Sequence, residues 1–169
     1  AAMLAARAND GSATAQSVPY TPGTLPGDWQ PISPATPLLP GWGQVTPFGL
    51  LVGSQFRLPP PPKLHTRIYA NDYDEVKLLG RIDSPVRPLD RTNVAKFYAI
   101  NSPVATWNPA ARQASLAQGR SLSENARNFA LLGMVMGDGA IAAFDTKYHY
   151  GLWRPQGAIR GGDVDGNPL

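Results

Sequence analysis

The run SLSENARNFALLGMVMGDGAIAAFDTKYHYGLWRP, residues 121–155, decides the fold class. Ser121 followed three residues later by Glu124 makes a capping box, in which each side chain satisfies the other residue's backbone N–H. From there to about Tyr150 the chain is apolar on nearly every side, through Phe129, Leu131, Leu132, Met134, Val135, Met136, Ile141 and Phe144. A helix apolar all round is one that other elements surround. Residues 121–150 are therefore predicted as a buried central helix. Gly151 can break it and Pro155 cannot continue it.

Upstream, Leu64, Ile68, Val76 and Leu79 fall on roughly helical spacing, and Gly80 supplies a stop. Arg91 to Ile100 reads as a second helix, with Asp90 as its N-cap. Pro109 to Gln118 reads as a third, with proline early and Gly119 as C-cap. The start, AAMLAARANDG, reads as the tail of a helix that ends near Asn9-Asp10-Gly11. Almost no segment alternates as a strand does, so the fold class is all-α: a helical bundle around the 121–150 helix.

Between these elements, residues 19–62 carry twelve of the eighteen prolines, interleaved with Trp29, Trp42 and Phe48. Proline at that density forbids long helices and interior strands. Flexible linkers, however, seldom carry tryptophans, so an ordered irregular segment is expected, its aromatics pinned into grooves of the helical body. The organisation expected over 1–169 is one incomplete domain: a truncated helix over 1–10, an ordered loop over 18–62, a helical body over 63–160 and a turn over 161–169.

Composition narrows the function classes. The 43% hydrophobic content of the 169 residues is enough for a core. The net charge of +3 comes from 15 basic residues with no run of five, so no nucleic-acid tail is expected. Without cysteine there is no disulfide, thiolate catalysis or cysteine-bound zinc. No stretch of eighteen apolar residues is free of charge, so no membrane span is expected. The N-terminus lacks the basic region and long apolar core of a signal peptide.

Lys147 and Arg154 are the candidate binding residues. Lysine offers a compact point charge and arginine a planar fork, the two donor types a tetrahedral oxyanion uses. Spacing alone also fits a plain account, with Lys147 complementing a helix end and Arg154 pairing with a carboxylate. On an unbroken helix the two would stand roughly 10 Å apart along the axis. A turn at Gly151 could bring both to one anion.

Lys147, six intervening residues and then Arg154-Pro155 resembles the first signature of the type 2 phosphatidic acid phosphatase superfamily, which joins acid and lipid phosphatases to vanadium-dependent haloperoxidases. The longer run DGAIAAFDTKYHYGLWRPQGAIR, with DGNP after it, is similar to the haloperoxidase-like branch. So are RANDGS at 7–12, PGWGQVTPF at 40–48, YANDYDEVKLLG at 69–80 and SLSENAR at 121–127.

The resemblance implies that Lys147 and Arg154 bind vanadate or phosphate oxygens, with Phe144 and Trp153 as candidate pocket walls. It implies an enzyme of peroxide-dependent halide oxidation or, alternatively, of phosphate-ester hydrolysis, in the periplasm or secreted. The family's essential histidines belong to two later signatures that this chain lacks. No catalytic residue and no direct metal ligand is therefore expected here, and the chain alone is expected to be inactive. A third reading is a non-catalytic half-site. The expected partners are the remainder of a longer polypeptide or a companion chain, and a small inorganic oxyanion; homo-oligomerisation stays open. Phe144 stands where haloperoxidase-like members often have tryptophan, and Gln156-Gly157 replaces a more usual hydroxyl residue and alanine. Both departures bear on halide use more than on oxyanion binding.

Other polar residues read as structural. His149, two beyond Lys147, points about 200° away on a helix, and His65 has no partner pattern. Asp138 and Asp145 are expected in ion pairs with Arg127, Arg154 or Arg160, since buried acids are costly unpaired; Asp145 could also orient the cationic pair. Asp163, Asp165 and Asn167 resemble part of a calcium loop without its later glutamate, and read as a polar turn.

Overall fold

The computed structural model describes residues 2–32, 36–164 and 166–168. Among the described residues six α-helices follow in order: α1 (Ala2–Ala6), α2 (Arg67–Gly80), α3 (Leu89–Ile100), α4 (Pro103–Ala117), α5 (Leu122–Tyr150) and α6 (Pro155–Arg160). Short 3-10 turns occupy Ser12–Ser17, Trp42–Gln44 and Gly162–Val164. There is no strand among the described residues, only an isolated antiparallel bridge between Asp28 and Leu152. The all-α reading therefore holds.

The helix ends follow their local chemistry. At the start of α5 the Ser121 hydroxyl accepts from the Glu124 N–H at 3.3 Å, and the Glu124 carboxylate accepts from the Ser121 N–H at 2.9 Å. Gly151 ends α5 at φ +53°, the left-handed region that glycine enters without a Cβ penalty. α3 begins at Leu89 with Pro88 as its cap, so Asp90 lies in the first turn instead of capping it. α4 starts six residues before Pro109: Ser102 caps it, accepting from Ala105 N–H at 3.2 Å, and Pro103 opens the first turn. Pro109 lies inside the helix.

Described parts of the irregular segment pack on the C-terminal half of α5. Ala15 and Val45 close with Ile141 into the core cluster, flanked by Leu39 and Trp42. A Cβ on Gly43 would lie 2.5 Å from the Asp145 Cα, so backbone meets helix there with no room for a side chain. Arg57 clamps the same place, its Nε and Nη2 each donating to Asp145 at 2.8 Å.

The all-round burial expected of α5 is not found. Only Asp138 and Ile141 are buried in it, while Leu131, Val135 and Leu122 stand open, Val135 at 68%. Its apolar N-terminal half has contacts with α4 and no surrounding layer among the described residues. By length and composition α5 is also long and apolar enough to cross a bilayer. Two of its three acids, Asp138 and Asp145, are however held by the chain's own irregular segment.

Candidate functional site

The site is a turn between two helices held by a distant piece of chain. Gly151 N–H donates to Lys147 C=O at 3.0 Å, and Arg154 is the N-cap residue of α6, with Pro155 opening it. The irregular segment clasps this turn from outside. Trp29 N–H donates to Gly151 C=O at 2.5 Å, and Trp153 N–H donates to Gly27 C=O at 2.8 Å. Gly27 takes φ +94°, a conformation that favours glycine. Residues 27–29 and 151–153 thus form a miniature antiparallel pair.

Lys147 lies within an aromatic surround. Its Nζ is 4.7 Å from the ring centroid of Tyr148, 5.0 Å from Phe144 and 5.7 Å from Trp29. Tyr20 packs edge-on against both Trp29 and Tyr148, at 5.6 and 4.7 Å between centroids. Nζ also reaches the Tyr148 hydroxyl at 3.5 Å, and that hydroxyl donates to Leu38 C=O at 2.6 Å. No carboxylate pairs with Lys147 among the described residues. Burial, and then the positive charge of Arg154, hold its proton affinity below that of an ordinary lysine. The Trp29 indole N–H is buried with no acceptor among the described residues.

Arg154 is exposed and has no ion-pair partner among the described residues. It lines a cavity of about 350 Å³ with Trp153, Gln156, Gly157, Arg160, Asp28, Gln30, Pro31 and Ile32. Trp153 is fixed there by its indole N–H, which donates to the Tyr69 hydroxyl at 3.1 Å. The two expected wall residues therefore divide: Phe144 stands beside Lys147 and Trp153 beside Arg154. The Arg154 charge is the second contribution, after burial, to the lowered proton affinity of Lys147.

The acids are placed differently from expectation. Asp138 pairs with no arginine. Its oxygens accept the backbone N–H groups of Phe48 at 2.6 Å, Gly49 at 2.7 Å and Leu50 at 3.1 Å. Asp145 pairs with Arg57 and not with Arg127, Arg154 or Arg160. In both cases the irregular segment, which carries no periodic signal, supplies the partner. His149 is exposed and edge-on to Tyr150, at 4.7 Å between centroids, and His65 is exposed. The Asn167 amide donates to Leu64 C=O at 2.7 Å, fastening the last turn near the start of α2. Asp163 is exposed, Asp165 lies outside the described residues, and no acid or histidine cluster suited to a metal occurs among those described.

Sequence reasoning missed the surround of Lys147. Tyr20 and Trp29 come from the proline-rich segment, where Trp29 stood out only as an aromatic in need of a groove. Tyr148 adjoins Lys147 in sequence, yet its role depends on Leu38, 110 positions away.

No protein-family model and no curated protein matches this chain. A solved structure does: the crystal structure of a bacterial vanadium-dependent iodoperoxidase superposes with a TM-score of 0.77 at 25% sequence identity, over 94% of this chain. The chain spans 42% of the length of that protein. Over nearly all of its length, this chain has a vanadium-haloperoxidase-like fold.

Proposed function

We propose that Lys147 and Arg154 form one wall of an oxyanion site, taking vanadate or phosphate, in a vanadium-dependent haloperoxidase-like enzyme. The carrying observation is electrostatic. Lys147 and Arg154 flank one short turn at Gly151, neither forms a salt bridge with a carboxylate among the described residues, and burial and then the Arg154 charge lower the proton affinity of Lys147. Neighbouring cations that make no salt bridge suit an incoming anion, although Asp28 also lines the Arg154 cavity. The donor set fits a tetrahedral oxyanion, with a point charge from Lys147 and a planar fork from Arg154. The fold shared with an iodoperoxidase supports vanadate as the anion and halide oxidation as the chemistry.

Bound vanadate would supply peroxide activation. The residues here hold and orient the anion and offset its charge. The only histidines in the sequence, His65 and His149, are both exposed. The remaining catalytic groups are proposed to come from the rest of a longer polypeptide or from a companion chain.

Isothermal titration with orthovanadate and with phosphate tests the site. Each of Lys147→Ala and Arg154→Ala is expected to weaken binding by about tenfold or more, the scale of one lost charge-assisted contact. Unchanged binding in both variants sinks the assignment. In the full-length protein, iodide oxidation with vanadate and peroxide, run against phosphate-ester hydrolysis, separates haloperoxidase from phosphatase.

A further inference from the structure

The aromatic surround has a member whose position is not explained by the core. Trp29 is 5% exposed, yet it lies outside the cluster of Ala15, Val45 and Ile141. Its neighbours are Tyr20, Tyr148 and the Lys147 ammonium. Its backbone N–H holds Gly151, the residue where α5 ends. One residue thus touches both halves of the cationic pair: the ammonium through its ring, and the turn leading to Arg154 through its main chain.

We propose that Trp29 is a positioning residue of the oxyanion site, its ring walling Lys147 from water and its burial pinning the Gly151–Leu152 turn that presents Arg154. This rests on the oxyanion reading above. The geometry separates wall from contact. The ring centroid is 5.7 Å from Nζ, the range of a cation–π contact. The indole nitrogen is itself closed to solvent, so it meets no anion in the open part of the site. The ring therefore acts through Lys147. An ammonium partly stripped of water has fewer competing hydrogen bonds to give up when an anion arrives. The Asp28–Leu152 bridge and the Trp153 N–H to Gly27 bond act in the same direction, fixing the turn against the segment that carries Trp29.

The test uses Trp29→Ala, Trp29→Phe and Trp29→Leu in the full-length protein, with two readouts. One is the dissociation constant for orthovanadate. The other is the Lys147 titration, followed by NMR of carbon-13-methylated lysines and assigned by its absence in Lys147→Met. Trp29→Ala is expected to weaken vanadate binding by about tenfold and to move the Lys147 midpoint up toward that of an ordinary lysine. Trp29→Phe, which restores a ring without the N–H, is expected to recover both. Should the alanine variant not fold, Trp29→Leu keeps the apolar bulk and is expected to fall between the other two.

An unchanged Lys147 midpoint in Trp29→Ala or Trp29→Leu overturns the proposal. So does a phenylalanine variant as weak as the alanine one, because the indole N–H would then be a direct ligand. If the unsubstituted protein binds neither vanadate nor phosphate, the oxyanion reading fails, and the NMR titration still decides whether Trp29 walls Lys147.

Discussion

Asp138 sits on α5 with both carboxylate oxygens committed to the backbone of residues 48–50. Burial raises its proton affinity, and the three N–H donors, together with the Arg7 charge, outweigh that, leaving the carboxyl below its ordinary value. A carboxylate held more acidic in the folded than in the unfolded chain stabilises the fold above its unfolded pKa. That stability is lost as pH falls through the folded value. Asp138→Asn is expected to cost about 2–3 kcal/mol at neutral pH, since one amide oxygen cannot serve three donors. It should also flatten the acid limb of stability; urea melts at neutral and acid pH check both. Lys147 has the same sign in a higher pH window. Its lowered proton affinity means the unfolded chain binds that proton more tightly, so stability rises with pH between the folded and ordinary lysine values, while anion binding falls. Sulfate, whose charge is constant there, is expected to bind more weakly as pH rises through the lowered lysine value, and Lys147→Arg should remove that dependence.

The contact between the irregular segment and α5 depends on the absence of a side chain. A methyl group at residue 43 would meet the Asp145 backbone, which cannot yield, so the 42–44 turn would have to lift. Gly43→Ala is expected to destabilise by about 1–3 kcal/mol, the range of overpacked sites, read as a lower midpoint in urea. At this scale much was legible. Ser121 and Glu124 marked the start of α5, and Gly151 marked its end, because caps are local chemistry. The start of α4 was not, because Pro109 suits a first turn as well as Pro103 does, and proline alone does not say which. The apolar circumference of α5 read as burial. It reported an affinity for cover, which the described residues supply only around Ile141.

Across the whole molecule, apolar surface outruns cover. Phe97 on α3, Trp107 on α4, and Leu131 and Val135 on α5 are all exposed, and exposed apolar side chains that come together favour association. The 169-residue chain in isolation is expected to associate with rising concentration and to bind a hydrophobic dye. Sedimentation velocity that finds a monomer without dye binding would contradict this. The cationic pair was visible in the sequence because both members fall within eight residues. Its surround was not, because the residues that shape it meet only in three dimensions. That separation has a kinetic side. The bond from Tyr148 to Leu38 spans 110 positions, and the clasp of residues 27–29 on residues 151–153 spans a similar stretch. Long loops close late, since their entropy is lost before their contacts form. α5 and its Gly151 end can form early from local caps, but the clasp that fixes the turn before Arg154 closes only when residues 27–38 reach it. Anion binding would then report the last step of folding.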